Sequence, residues 1–301
     1  MSSSSSSLHL NQIYNLRNRI ALVTGGGTGI GWMIAQGLAT NGARVYITGR
    51  RKEVLEKSAQ EFAKHSETGE IIPLVMDVTD RESISAAQKE IQANEGKLHI
   101  LVNNAGITGP ISRFFNDTSL PQHRDAETLG RAMFENESFE AWTDVYKSNT
   151  FSVYFMTMAF LGLLAKGSED IDGYTSCVVN ITSISGLIKL SQCHFGYNSA
   201  KAAASHLTKM LATEFALKKI SVRVCAVAPG VYESEMTSDR IAHGSVDKVG
   251  LGVFPVPVQR PGSAQEVAGT VIYLVSPAGC FTNGQEIVID GGYTTVNPAR
   301  V

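Results

Sequence analysis

The sequence predicts an α/β fold: one domain built as a doubly wound parallel sheet with helices on both faces. Three observations lead there. Short apolar runs alternate along the chain with stretches of helical periodicity, the order that a parallel sheet with right-handed crossovers requires. The first run passes directly into a glycine-rich turn that opens a helix, Thr24-Gly25-Gly26-Gly27-Thr28-Gly29-Ile30-Gly31. Later runs are followed at once by polar or glycine-containing groups such as Asn103-Asn104-Ala105-Gly106 and Pro229-Gly230, at the strand ends where such sheets bind ligands.

Met1 is followed by six serines and lacks the basic start and apolar core of a secretory signal. Residues 1–18 are therefore expected to be a flexible tail, with a loose helix or extended arm from Leu8 to Asn18, and the ordered domain, 19–301, to begin near Arg19. Ile20-Ala21-Leu22-Val23 reads as the first strand and Trp32 to Asn41 as helix. Between them the glycines follow T-G-x-x-x-G-x-G rather than G-x-G-x-x-G, yet still allow a tight turn and close backbone approach to a pyrophosphate held at the positive end of a helix. Ala43-Arg44-Val45-Tyr46-Ile47-Thr48 is a second strand, running into Gly49-Arg50-Arg51 and a helix over residues 52–64. A third strand, 71–76, ends in Asp77-Val78, and a fourth, 99–102, follows a helix over 81–93.

From 107 to 138 the periodicity lapses, and a long loop or short-helix insertion near the strand ends is expected. Helix resumes from Phe139 to Ala165 with Asn149 inside it. Val178-Val179-Asn180-Ile181-Thr182 is a buried strand ending in Ser183-Ile184-Ser185-Gly186, and Val222 to Ala228 is another. Residues 231–261, with Pro255, Pro257 and Pro261, are expected to form a mobile cover over the crevice. A helix over 264–274 and a strand over 286–289 close the chain, with no second domain and no internal repeat.

With 301 residues, 43% hydrophobic content and net charge −2, the chain has ample core and no basic excess to hold a phosphate backbone, so no nucleic-acid partner is expected. Four cysteines, Cys177, Cys193, Cys225 and Cys280, lie far apart without a C-x-x-C pair, which suits buried thiols in a reducing, cytoplasmic compartment. The most apolar run, 151–165, is shorter than a bilayer span of about 20 residues, so it reads as a buried helix and no membrane partner is expected.

The chemistry centres on Tyr197-Asn198-Ser199-Ala200-Lys201. Four-residue spacing puts the phenol and the ammonium on one helical face, and a nearby ammonium favours phenolate. The pair could therefore do acid–base work, although such a pair alone is more often an accident of an amphipathic helix. At the end of the second strand, Arg50 and Arg51 stand where an NAD-selecting fold carries an acid for the ribose hydroxyls, with no acid before Glu53. An arginine there offers a planar fork to a 2′-phosphate, which predicts NADP(H) and favours Arg50 over Arg51.

Thr24-Gly25-x-x-x-Gly29-x-Gly31, Asp77, Asn103 to Gly106, Asn149, Ser183, Tyr197-x-x-x-Lys201, Pro229-Gly230 and Asp290-Gly291-Gly292 together resemble the short-chain dehydrogenase/reductase family over residues 19–293. The resemblance implies a Rossmann-type sheet and a catalytic tetrad of Asn149, Ser183, Tyr197 and Lys201. The nicotinamide cofactor it implies would meet Thr24, Gly25, Thr28, Gly29, Ile30, Gly31, Arg50, Arg51, Asp77, Val78, Asn104, Ala105, Gly106, Tyr197, Lys201, Pro229, Gly230, Val231 and Ser234. In that scheme Ser183 bonds the carbonyl oxygen, Tyr197 donates the proton, Lys201 lowers the tyrosine's pKa and holds ribose, and Asn149 anchors a water. Asp77 would meet the adenine and Asn103 brace the sheet. The resemblance also implies a homo-oligomer, a dimer or tetramer.

Two departures stand out. The spacing from Ser183 to Tyr197 is one residue longer than the family's familiar arrangement, which makes Ser185 a rival to Ser183. Ser234 replaces a common threonine and keeps the hydroxyl. Cys193-His194 reads as pocket lining or packing rather than a dyad or metal site, and no metal is expected. Met156, Met158 and Phe160 read as core or as a subunit-pairing face. The sequence thus predicts an NADP(H)-dependent carbonyl–alcohol oxidoreductase. Reduction of an activated C=C or imine bond is the alternative, and a non-catalytic dinucleotide-binding protein is disfavoured because Tyr197 and Lys201 are both present. Tyr232, Met236, Phe254 and Phe195 are candidates for a partly apolar substrate pocket.

Overall fold

A computed structural model describes residues 8–65, 68–234, 246 and 251–299. Among them the strands β1 (Ile20–Thr24), β2 (Arg44–Gly49), β3 (Glu70–Val75), β4 (Ile100–Asn103), β5 (Ser176–Ile181), β6 (Val222–Pro229) and β7 (Glu286–Ile289) form one parallel sheet in the order β3-β2-β1-β4-β5-β6-β7. The central strands β1, β4, β5 and β6 are buried at every position, as expected for strands covered on both faces, and that is why they read as continuous apolar runs rather than alternating ones. Edge strand β3 carries Pro73, where the missing N–H costs no ladder bond to a second neighbour.

Helices fill the crossovers. On one face α2 (Gly29–Thr40), α3 (Lys52–His65) and α9 (Ala264–Val275) enclose a core with Val23, Ile34, Leu38, Ile47 and Val271. On the other, α4 (Arg81–Glu95), α7 (Ser152–Glu169) and α8 (Phe195–Leu217) enclose Leu22, Ile91, Leu101, Phe160 and Val224. Asp80 caps α4 by accepting from the Glu82 N–H at 3.0 Å, and the helix ends at Gly96 with φ +69°, the usual left-handed stop. A buried bridge joins the layers: Asn103 donates to Asn180 Oδ1 at 2.9 Å and Asn180 to Thr208 Oγ1 at 2.9 Å, so Asn103 does brace the sheet.

The 107–138 segment is an ordered insertion of two 3₁₀ turns and the helix α5 (Ala126–Asn136), capped by Asp125. Next come α6 (Phe139–Tyr146), a π-turn over Lys147–Phe151 and α7, as one continuous run. Phe139–Glu169 is in fact long and apolar enough to cross a membrane by length and composition, unlike the shorter stretch the sequence suggested. Met156 and Phe160 lie in the core with Met158 packed against it, whereas Tyr154 and Phe155 are exposed; the run is a core helix with an outward aromatic edge. Near the C-terminus, α10 (Tyr293–Val296) leads to Asn297, whose Oδ1 accepts from the Val253 and Phe254 N–H groups at 2.7 and 2.9 Å. This ties the 253–254 backbone to the body of the domain; of the cover expected over 231–261, residues 235–245 and 247–250 lie outside the described residues.

The domain begins earlier than Arg19. Residues 10–13 form the short helix α1 (Leu10–Ile13), and Leu16 is fully buried in the first core with Leu38 and Ala43. The N-terminal serines lie outside the described residues. Leu16→Ala should lower unfolding free energy by about 2–5 kcal/mol, the usual range for a buried leucine. Urea denaturation would show it, and a mutant as stable as the parent would return Leu16 to a free tail.

Candidate active site

The order of the sheet reverses between β1 and β4, and a crevice opens there beyond the carboxyl ends of the strands. Thr24 and Asn104 stitch its floor. The Thr24 hydroxyl accepts from the Asn104 and Ala105 N–H groups at 2.9 and 3.0 Å, and the Asn104 amide donates to the Thr24 and Gly25 carbonyls at 2.9 and 3.2 Å. A Cβ on Gly31 would fall 2.3 Å from Gly25 O and 2.4 Å from Asn104 Nδ2, so only glycine lets α2 start this close to β4. Thr28, at the N-cap, makes no side-chain capping bond, and the first turn of α2 carries no acid. The positive end of the helix is thereby presented to the cleft.

A cleft of about 640 Å³ runs from this loop across the strand ends. Of the site residues chosen from sequence, all except Thr24 and Gly31, which lie behind the floor, line it. At one end are Arg50 and Arg51, both exposed, with Asp77 and Val78. Asp77 Oδ1 accepts from the Thr79 N–H at 2.8 Å and hydroxyl at 2.7 Å. Burial works to raise this carboxyl, but the Thr79 bonds and the facing Arg50 charge hold it below its ordinary value.

At the other end the four proposed catalytic side chains meet. Tyr197 and Lys201 lie one turn apart on α8, with the ammonium 5.8 Å from the phenol ring centroid. Ser183, just after β5, lies near enough to the Tyr197 phenol to favour its ionised form, while Ser185 donates to Gln192 Oε1 at 2.7 Å. Of the two serines, both of which line the cleft, Ser183 is the one that acts on Tyr197. Asn149 sits in the π-turn and pairs with both backbone groups of Ile107, accepting at 3.1 Å and donating at 2.8 Å. Such turns interrupt helices mostly at functional sites.

The electrostatics differ from the sequence expectation in one respect. Tyr197 is half-buried, and burial pushes its phenol above its ordinary value while the neighbouring Ser183 hydroxyl works the other way. Lys201 does not offset that burial in the resting site, and burial lowers its own ammonium to about 8, leaving it charged at neutral pH. Lys201 Nζ donates one hydrogen bond, to Ile181 O at 2.8 Å.

Comparison with known proteins agrees with this geometry. The family model described as enoyl-(acyl carrier protein) reductase matches residues 25–294. The short-chain dehydrogenase/reductase VdtF of Byssochlamys spectabilis is 35% identical, over 97% of this chain and 98% of that protein. The chain belongs to the short-chain dehydrogenase/reductase family. The rhamnolipids biosynthesis 3-oxoacyl-(acyl-carrier-protein) reductase of Pseudomonas aeruginosa is 32% identical, over 93% of this chain and 98% of the relative. The solved Pseudomonas aeruginosa RhlG/NADP active-site complex superposes with a TM-score of 0.78 at 29% identity, covering 93% of this chain and 98% of that one.

Short-chain dehydrogenase/reductases bind a nicotinamide dinucleotide, and the residues here fit one. The loop supplies an uncapped helix start, the arginine end supplies cations, and Lys201 keeps two ammonium donors beyond its bond to Ile181 in a buried position, where unpaired donors are costly. Among the pocket candidates Tyr232 lines the cleft, but Phe195 and Phe254 do not. Phe195 is 39% exposed and packs edge-on against Phe115 at 5.2 Å, and Phe254 is 58% exposed. Met236 lies outside the described residues. Gln192 and Ile111, which the sequence reading passed over, line the cleft, as does His194, read there as bland lining. Only the one-residue excess between Ser183 and Tyr197 hinted that the 187–194 loop was unusual.

Burial of the Lys201 ammonium gives a testable pH dependence. Its pKa falls from 10.5 to about 8 on folding, so the charged form costs the folded state on the order of 3 kcal/mol. Below pH 8 folded and unfolded chains both carry the proton and the full cost is present. From about pH 8 to 10.5 the unfolded chain holds more protons, and this group's contribution to stability rises with pH. Lys201→Met should therefore melt several degrees higher than the parent at pH 7, with the gain fading toward pH 10.5 in a pH series of thermal melts. A mutant melting below the parent at pH 7 would contradict the assigned burial cost.

Proposed function

We propose that this chain is an NADP(H)-dependent oxidoreductase that interconverts a carbonyl and a secondary alcohol, with Tyr197 as general acid and base. The observation that carries the reading is the placing of the Ser183 hydroxyl beside Tyr197, near enough to act on its phenol, at the inner end of a dinucleotide-sized cleft. Two hydroxyls converging at one point form a donor set for a single oxygen atom that gains negative charge, which is what carbonyl reduction creates. The bound nicotinamide would supply the hydride in reduction and accept it in oxidation. Ser183 would hold the carbonyl oxygen, and Tyr197, protonated at neutral pH as an ordinary phenol is, would give up its proton as that oxygen becomes a hydroxyl. Lys201, buried beside it with donors to spare, would steady the phenolate that remains. The description of the matched family model names C=C reduction, but a donor pair aimed at one oxygen favours carbonyl chemistry.

Tyr197→Phe removes the transferable proton and keeps the ring. It should leave the thermal midpoint and cofactor affinity nearly unchanged and lower kcat by about a hundredfold to ten-thousandfold. A panel of ketones followed by NADPH absorbance measures this, and a mutant keeping parental kcat would remove Tyr197 from the mechanism.

The choice of NADP(H) rests on Arg50. Its guanidinium is exposed at the cleft end with Asp77 as its electrostatic neighbour, leaving a planar donor fork within reach of a 2′-phosphate. The cofactor in the solved Pseudomonas aeruginosa structure points the same way. Arg50→Asp should weaken NADP(H) binding far more than NAD(H) binding, and less so at high salt, where repulsion is screened. Fluorescence titration of both cofactors at two ionic strengths would show it; a parent enzyme that prefers NADH would overturn the assignment.

A further inference from the structure

The insertion and α6 grip the chain just before Tyr197 at three points. The Ser112 N–H donates to Cys193 O at 2.8 Å, Phe115 meets the Phe195 ring edge-on with centroids 5.2 Å apart, and a Cβ on Gly196 would fall 3.5 Å from the Trp142 ring. Trp142 thus lies in contact with the first turn of α8. The backbone under this grip is strained. Gln192 and Cys193 are consecutive non-glycine residues in the left-handed region, with φ of +52° and +65°, a combination that persists only when its surroundings impose it. Gln192 and His194, on either side of Cys193, line the cleft, so whatever holds Cys193 also sets the cleft wall.

One carboxylate joins two of the three points. Glu137 Oε1 accepts from the Ser112 hydroxyl at 2.7 Å, and Oε2 accepts from the Trp142 indole N–H at 2.6 Å. Ser112 is fully buried, and its hydroxyl also accepts from Asn136 Nδ2 at 2.9 Å. An indole is a donor only, and the Ser112 proton needs an acceptor of its own, so the group between them must accept at both ends. A glutamate does this and a glutamine, of the same shape, does not. Glu137 itself does not line the cleft, and whatever it does for the chemistry it does through the groups it holds.

We propose that Glu137 is a positioning residue that sets substrate choice: by holding Ser112 and Trp142 it fixes the 192–196 backbone, and with it the wall that a ketone meets beside Tyr197. This rests on the carbonyl reading above and adds where discrimination among ketones originates. Displacing a reacting group by about 1 Å from a distant change can cost about a hundredfold, and substrates of different shape feel such a displacement unequally.

Glu137→Gln keeps the shape and turns one accepting end into a donor; Glu135→Gln, at an exposed position two residues away, is its control. Hydrogen exchange of the NADP-saturated proteins, read by mass spectrometry, should show the amides of 187–197 exchanging about tenfold faster in Glu137→Gln, with β1, β5 and the control unchanged. In turnover with NADPH on cyclohexanone, acetophenone, propiophenone and benzophenone, kcat/KM for at least one aryl ketone relative to cyclohexanone should change about tenfold, the worth of one good hydrogen bond. The Kd for NADP should stay within about twofold of the parent's. A carboxylate that only stabilised the fold would lower all four rates in proportion. Trp142→Phe, which keeps a ring and loses the N–H, should move both readouts the same way, and it decides the matter should Glu137→Gln fail to fold. Unchanged exchange at 187–197, or unchanged ratios in an enzyme that reduces these ketones, overturns the proposal, and the second result leaves the carbonyl reading intact. If no ketone oxidises NADPH the carbonyl reading falls instead, and faster exchange at 187–197 then leaves the positioning role of Glu137 standing.

Discussion

The rest of the site depends on one constraint, the holding of the Lys201 ammonium out of water with a single backbone acceptor. An isolated buried cation drifts toward neutrality or toward solvent unless the structure around it is rigid. Helix α8 is clamped at this point from several sides. Ile181 O, at the end of β5, takes one N–H of the ammonium. The Thr150 hydroxyl, in the π-turn, donates to Ala200 O at 2.8 Å. A Cβ on Gly186 would fall 2.7 Å from the backbone of Lys201 and Ala202, so the turn after Ser183 lies directly on the helix. The distance between Ser183 and Tyr197 is thus fixed by a strand, a helix and a turn in mutual contact, the kind of support a constellation of hydroxyls needs.

Much of this architecture was legible in the chain because its physics is local. Strands covered on both faces must be apolar at successive positions, and Val178 and Val179 are. A helix that starts over a ligand needs small residues where backbones meet, and Gly31 occupies the one point where a methyl group would strike Gly25 O. Ser183 and Tyr197 could be paired because each lies beside a regular element whose end or face is set by periodicity.

What escaped reading depends on partners distant in sequence. Leu16 looks like one apolar residue in a polar tail, and only the packing of Leu38 and Ala43 around it makes it core. The π-turn at Asn149 was not separable from the helices on either side, since one extra residue in a turn leaves no mark on composition. Phe195 was a reasonable pocket candidate next to Tyr197, but on a helix the neighbouring positions diverge, and its ring went outward to meet Phe115. His194 could not be placed from sequence because its setting depends on Asn198, whose Oδ1 faces His194 Nδ1 at 2.7 Å.

These misses share a location, and it separates two kinds of demand on the protein. The groups assigned to proton transfer lie on or directly beside regular elements, where position is shared among many hydrogen bonds. The other side chains that line this end of the cleft lie on irregular backbone, at Ile111 in the insertion, in the 187–194 loop and at Tyr232 after β6. Irregular backbone can change with little effect on the sheet, so it suits specificity, but alone it is too loose to orient a polar group. Here the looseness is removed by connections between loops: Ser112 and Glu137 in the insertion hold Cys193, and Asn198 on α8 holds His194. The helical insertion after β4 therefore does more than roof the cleft. It gives the loop before Tyr197 a second wall to bond to, and the extra residue between Ser183 and Tyr197 can then be kept in a left-handed conformation that a shorter, unsupported connection would relax.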